Sequence, residues 1–163
     1  MPAVLYRVDN RLVHGQVLEA WVPRVGADTI LVVDDNLVKD DFHKTVLEAM
    51  GHSRLKIIVV DCANAASRIN GELSGKKVLV LFHDTKQAKQ AYSAGLDYMV
   101  LNLGNIHPGK LSTKLTSNVN LSKADAHRIC VLISKGVKVD ARAVPADKSP
   151  DVGRFCHALD KAH

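Results

Sequence analysis

The chain has 163 residues, 47% of them hydrophobic and 24% charged, which suits one domain spanning 1–163 with a sizeable core. No stretch approaches the roughly 18 consecutive apolar residues of a membrane span, and no basic segment leads into a long apolar run at the amino terminus, so a cytoplasmic protein without a secretory signal is expected. A formal charge of +5 and a pI near 9.2 raise nucleic acid as a partner, but three Tyr, three Phe and one Trp offer little stacking surface and no recognition motif accompanies the basic residues, so none is expected.

In chain order, residues 3–8 are short, apolar and rich in strand formers, and 15–25 carries apolar residues three and four apart, the period of a helix. Strands at 29–33, 56–60, 77–82, 98–103 and 137–144 then alternate with helices at 39–50, 63–73, 85–94 and 122–135. Ser122 with Asp125 three places on reads as a helix cap, while Gly95 and Gly136 sit where a helix gives way to a strand. Residues 145–150 make a turn-rich connection to a short terminal helix from 151 to about 161. The strands are nearly continuous in Val, Ile and Leu, as when helices cover both faces. The predicted fold is therefore α/β: an open, mainly parallel twisted sheet of about six strands with helices on both faces.

The loop between the first strand and first helix carries the chemistry. It reads Arg7-Val-Asp-Asn-Arg11-Leu-Val-His14-Gly15-Gln-Val17, with arginines three and seven places before the histidine. Neutral imidazole is a nitrogen nucleophile near pH 7, so His14 can attack phosphorus without a base to activate it. Guanidinium groups neutralise and orient phosphate oxygens, which makes Arg11, and Arg7 if its side chain turns toward the loop, candidate phosphate ligands. Gly15 allows close backbone approach or a sharp turn, and Asp9 and Asn10 shape the loop. Spacing alone equally fits a solvated loop histidine with arginines paired to a neighbour such as Asp9.

The string resembles the Arg-Ile-Asp-Asp-Arg-Leu-Ile-His-Gly-Gln-Val signature of the IIB subunits of the mannose/fructose/sorbose family of the sugar phosphotransferase system (PTS). Trp21, Val32-Val33-Asp34-Asp35, Leu79 to Phe82, Leu101-Asn102-Leu103-Gly104, Gly109-Lys110 and Lys135-Gly136-Val137 through Arg142-Ala143-Val144-Pro145 look like the family's landmarks, in its order and over nearly the whole chain. The resemblance implies a protein-Nπ-phosphohistidine-sugar phosphotransferase in which His14 takes phosphate from a phosphohistidine on a IIA protein and passes it to a sugar held by membrane IIC and IID subunits. It implies that Arg7 and Arg11 steady that phosphate. Membrane association would then be peripheral, through partners, and no cofactor or metal is needed. Asn10 departs from the family's usual second aspartate, which removes a like charge beside the phosphate site.

The remaining polar residues give weaker signals. Asp34-Asp35, Asp61, His83-Asp84 and Asn102 should cluster at the carboxyl edge of the sheet, either shaping a pocket or serving as caps and turn formers. Residues 105–110 read as a longer loop, with His107 a second candidate for chemistry. His43, His52, His127, His157 and His163 have no companions at metal-site spacing, and Cys62, Cys130 and Cys156 are too scattered for a zinc site or disulfide framework. Two rivals remain. One is a receiver-like module phosphorylated on aspartate, suggested by Asp9, Asp61 and Thr85 but lacking a lysine after the fifth strand. The other is a nucleotide-binding or regulatory module, for which no glycine-rich loop is found.

Overall fold

The computed structural model describes residues 3–162, so His163 lies outside the described residues. Its strands are β1 (Leu5–Asp9), β2 (Thr29–Val33), β3 (Lys56–Val60), β4 (Val78–Phe82), β5 (Val100–Asn105), the two-residue β6 (Thr113–Lys114) and β7 (Asn120–Leu121), and β8 (Lys138–Ala141). A π-helical segment (Val17–Trp21) runs into α1 (Val22–Val25), and a 3₁₀ turn (Leu37–Lys39) precedes α2 (Asp41–Ala49). The remaining helices are α3 (Ala65–Asn70), α4 (Thr85–Ser93), α5 (Lys123–Ser134) and α6 (Val152–Lys161). Six parallel strands form one sheet in the order β3-β2-β4-β1-β5-β8, which bears out the expected class.

Side-chain alternation divides the core between the two faces. Ile30, Val32, Ile57, Val59, Leu79 and Leu81 pack with Val17 and Trp21 on one side. Leu31, Val33, Ile58, Val60, Val80 and Phe82 pack with residues of α3, α4, α5 and α6 on the other. Both faces of β2 and β4 are thus buried, which is why those strands are uninterrupted runs of apolar residues. The chain leaves β1 toward β2 and leaves β5 toward β8, in opposite directions from two neighbouring strands. Such a reversal opens a crevice at the strands' carboxyl ends, the usual ligand position in a sheet of this kind.

Several elements differ from expectation for local reasons. The first helix has the expected extent, but the π-helical turn inserts an extra residue before Trp21. α2 begins later than 39 because the Asp40 side chain accepts the His43 N–H at 3.1 Å and caps the helix. α3 is shorter than 63–73, ending where the Gly71 N–H bonds back to the Ser67 carbonyl at 2.9 Å. The expected cap of α5 is present as a reciprocal capping box between Ser122 and Asp125. The β6–β7 hairpin was not expected, since two-residue strands show no periodicity; it brings the chain back to the end of β5, where Val119 bridges to Ile106.

β5 and β8 are displaced most. β5 was expected at 98–103 but runs to Asn105, because Tyr98 is a core aromatic bonded to the Ala88 carbonyl at 2.8 Å while Asn102, Gly104 and Asn105 continue the ladder. β8 stops at Ala141, and the chain then turns the Arg142 and Ala143 carbonyls inward.

Candidate functional site

β1 ends at Asp9, and the loop closes at once: the Leu12 N–H bonds to the Asp9 carbonyl at 3.0 Å and the Arg11 N–H to the Asp9 carboxylate at 3.0 Å. Closing so tightly forces Leu12 into the left-handed region, with φ 55°. That conformation costs a non-glycine residue about 1–2 kcal/mol, and burial of the Leu12 side chain against Val17 and its neighbours offsets it by about 1.5–3 kcal/mol. The strained turn is thereby held by the core, and it delivers His14 to the start of the first helix, where the Leu18 N–H bonds to the His14 carbonyl at 3.0 Å.

The His14 Nε2 lies 2.8 Å from the Asp9 carboxylate, and the ring is 15% exposed while Asp9 is fully buried. The same carboxylate oxygen accepts from the Arg7 Nε and Nη2 at 3.2 and 3.1 Å and from the Asn105 Nδ2 at 2.9 Å. Surrounded by donors, it is acceptor-only, so Nε2 is the nitrogen that carries the proton and, in the neutral ring, Nδ1 keeps the free electron pair. Among the described residues no group is hydrogen-bonded to Nδ1.

Arg7 was expected to reach phosphate only if its side chain turned toward the loop, and the side chain instead turns inward. Its side chain is fully buried. Besides Asp9, it donates to the Asn102 Oδ1 at 2.7 Å, to the Arg142 and Ala143 carbonyls at 3.0 Å each and to the Gln16 Oε1 at 3.0 Å. These acceptors engage all three guanidinium nitrogens, leaving none directed at solvent. Burial lowers the guanidinium's pKa from its ordinary value, and the adjacent Asp9 carboxylate opposes that shift. Trp21 completes the enclosure: its ring lies 5.1 Å from the Arg7 Cζ, and its indole N–H donates to the Ala143 carbonyl at 2.8 Å.

Room for Arg7 comes from Gly104. An added Cβ there would lie 2.0 Å from the Arg7 Cζ and 2.2 Å from Nη2. In the β1–β5 ladder Val8 pairs with Leu103 and Asp9 with Asn105, so Gly104 is an extra residue, a bulge.

The other expected residues divide between the site and the scaffold. Arg11 is exposed, and among the described residues its guanidinium is bonded only to the Gln16 Oε1, at 3.4 Å, so it stays largely available. A Cβ at Gly15 would meet nothing within 4 Å, leaving open space beside His14. Asn10 ties the loop to its neighbours: its Nδ2 donates to the His83 carbonyl at 2.9 Å, and its Oδ1 accepts the His107 N–H. An aspartate could not make the first of these bonds. Arg11, Gln16, Asn105, His107, Asn118 and Asn120 help line a polar cavity of about 400 Å³ beside the loop.

Asp34, Asp61 and Asp84 accept nearby backbone N–H groups and serve as turn and helix anchors. Asn102, by contrast, belongs to the buried polar layer. Burial pushes the Cys62 and Cys156 thiols up to about 12, so neither is a ready nucleophile near neutral pH. Among the described residues no three His, Cys, Asp or Glu side chains form a group able to hold a metal ion. Gln16, Asn105 and the role of Gly104 were missed from sequence; a glycine within a strand run was the available signal for a bulge or a close approach.

Residues 3–163 match the family described as the PTS system sorbose subfamily IIB component. The chain is 32% identical over 153 residues to the sorbose-specific EIIB component of the PTS from Lacticaseibacillus casei, covering 93% of each protein. It is 29% identical over 162 residues to the fructose-specific EIIB component of Bacillus subtilis (strain 168), covering 99% of each. Its structure matches the crystal structure of the IIBSor domain of the sorbose permease from Klebsiella pneumoniae with a TM-score of 0.87, at 26% identity and over 99% of both chains.

Proposed function

The chain belongs to the sorbose-subfamily IIB components of the PTS, a family of sugar phosphotransferase components, and on that premise we propose that it acts as one IIB-type phosphocarrier domain. His14 accepts a phosphoryl group from a phosphorylated IIA protein and passes it to a sugar held by membrane IIC and IID subunits. The observation that carries this reading is the asymmetry of the His14 ring, with Nε2 tied to Asp9 at 2.8 Å and Nδ1 without a hydrogen-bond partner among the described residues.

In the accepting step the Nδ1 electron pair forms the new N–P bond as the donor's N–P bond breaks and the donor imidazole leaves with its electron pair. The His14 ring then carries phosphate on Nδ1 and a proton on Nε2, and the resulting positive charge faces the Asp9 carboxylate. Asp9 fixes the tautomer beforehand and stabilises that charge as it develops. Arg11, held only by Gln16, swings onto the phosphoryl oxygens in the open space beside Gly15. Backbone N–H groups at the start of the helix add to the attraction. Arg7 acts from behind, as a positioning residue for Asp9. The donor is itself a phosphorylated protein, so the transfer needs no nucleotide or metal. The aspartate-phosphorylation alternative loses support from Asp61, whose Oδ1 accepts the Asn64 backbone and amide N–H groups at 2.8 Å each, as a turn-forming residue does.

Phosphate uptake from a phosphorylated IIA protein tests this directly. With Arg11→Ala, uptake should slow by about tenfold or more, the loss of one charge-assisted hydrogen bond made in the transition state. Because Arg11 is exposed, its removal should leave the urea midpoint near that of the parent. Uptake at the parental rate would remove Arg11 from the phosphate site.

A further inference from the structure

Residues 102, 104 and 106 of an unbroken β5 would share one face of the sheet, with 103 and 105 on the other. The extra residue at Gly104 breaks this alternation and pairs Asn105 with Asp9, as Asn102 pairs with Arg7. Asn105 is therefore turned onto the face that carries His14, and its side chain is buried there.

Its amide orientation follows from its neighbours. Nδ2 lies 2.9 Å from the Asp9 Oδ2 and 2.9 Å from the Gln16 Oε1, both acceptors in this setting, since Gln16 Oε1 also receives the Arg7 Nη2 at 3.0 Å and the Arg11 Nη2 at 3.4 Å. Its backbone carbonyl accepts the Asn10 N–H at 2.9 Å, tying the loop to the end of β5. One side chain thus bridges the residue that orients His14 and the residue that holds Arg11.

We propose that Asn105 is a positioning residue for phosphoryl transfer, its amide setting both the Asp9 carboxylate behind His14 and the Gln16 carbonyl that holds Arg11. The proposal rests on the reading of His14 as the phosphocarrier. The required property is two-proton donation from a neutral group. Leucine has the size without the donors, and aspartate can donate one proton, and only while protonated. A carboxyl placed against buried Asp9 retains its proton well above the ordinary carboxylate range, because two adjacent carboxylates resist simultaneous ionisation.

The test is phosphate uptake by Asn105→Leu and Asn105→Asp, each compared with the parent at the same pH from about 5.5 to about 9, with circular dichroism at each pH to confirm folding. Asn105→Leu should be slowed about tenfold or more at every pH. Asn105→Asp, which keeps one of the two donors while protonated, should be slowed less than Asn105→Leu at the acid end and lose about tenfold more relative to the parent as the new carboxyl ionises. If the leucine variant does not fold, the pH profile of the aspartate variant decides alone. Uptake within about twofold of the parent throughout, or an aspartate variant slowed equally at every pH, would overturn the proposal while leaving His14 as carrier. Failure of the parent to take phosphate on His14 would overturn both.

Discussion

Gly104→Ala is expected to cost the fold about 3–5 kcal/mol, read as a fall in the urea midpoint at unchanged slope. The added Cβ would fall 2.0 Å from the Arg7 Cζ and 2.5 Å from its Nε, distances no rotamer adjustment elsewhere relieves. The guanidinium cannot step aside, because Asp9, Asn102, Gln16 and two carbonyls hold it on all sides and the Trp21 ring closes the remaining face. Either Arg7 is expelled, leaving a buried Asp9 without its charge partner, or β5 separates from β1. Breaking a buried pair from one side typically costs about this amount, a large share of the roughly 5–15 kcal/mol that stabilises a domain. A loss under about 1 kcal/mol would mean that the close approach of Arg7 to Gly104 is not the packed native arrangement.

His14→Ala is expected to abolish phosphate uptake while leaving the fold intact. The two halves of that result have separate causes. His14 contributes one hydrogen bond, to Asp9, from a ring near the surface, so its loss should change stability by no more than about 1–2 kcal/mol. Asp9 keeps its bonds to Arg7, Asn105 and the Arg11 N–H, so it is not left unpaired. Transfer has no such reserve. His107 reaches the loop only through its backbone N–H, to Asn10, and the Cys62 and Cys156 thiols are held protonated by burial. Uptake persisting in a folded His14→Ala chain would relocate the nucleophile.

Much of the sheet was legible because its energetics are simple. β2 and β3 coincide with the expected ranges, since each is a run of four apolar residues after one polar residue, as strands covered on both faces require, and turn-forming residues mark their ends. β5 failed at the same rule. Asn102, Gly104 and Asn105 look like the end of a strand when polarity is taken as exposure, yet they are buried and their hydrogen bonds are met by Arg7, Asp9, Asp140 and Gln16. The misread stretch is the one beside the candidate site, where local preference yields to buried polar packing.

The candidate site divides in the same way. His14 and Arg11 could be singled out because their chemistry resides in their own side chains. Arg7 was marked by type with its direction left open, because strand alternation places it on the face of α1 without saying that Gly104 and the carbonyls after β8 enclose it. Asn105 was invisible: its place depends on a one-residue bulge in a parallel ladder, which side-chain pattern alone does not reveal. Asn10 sits between these cases, since the loss of a charge is readable while its bond to the His83 carbonyl requires the neighbouring strand.

Nuclear magnetic resonance of the chain labelled with ¹⁵N at histidine, recorded after phosphorylation by a IIA protein, tests the central claim most directly. The expected result is a single phosphorus-coupled nitrogen, Nδ1 of His14, with Nε2 of the same ring still protonated and bonded to Asp9. Phosphorus coupling at Nε2 of His14, or at any other residue, would contradict it.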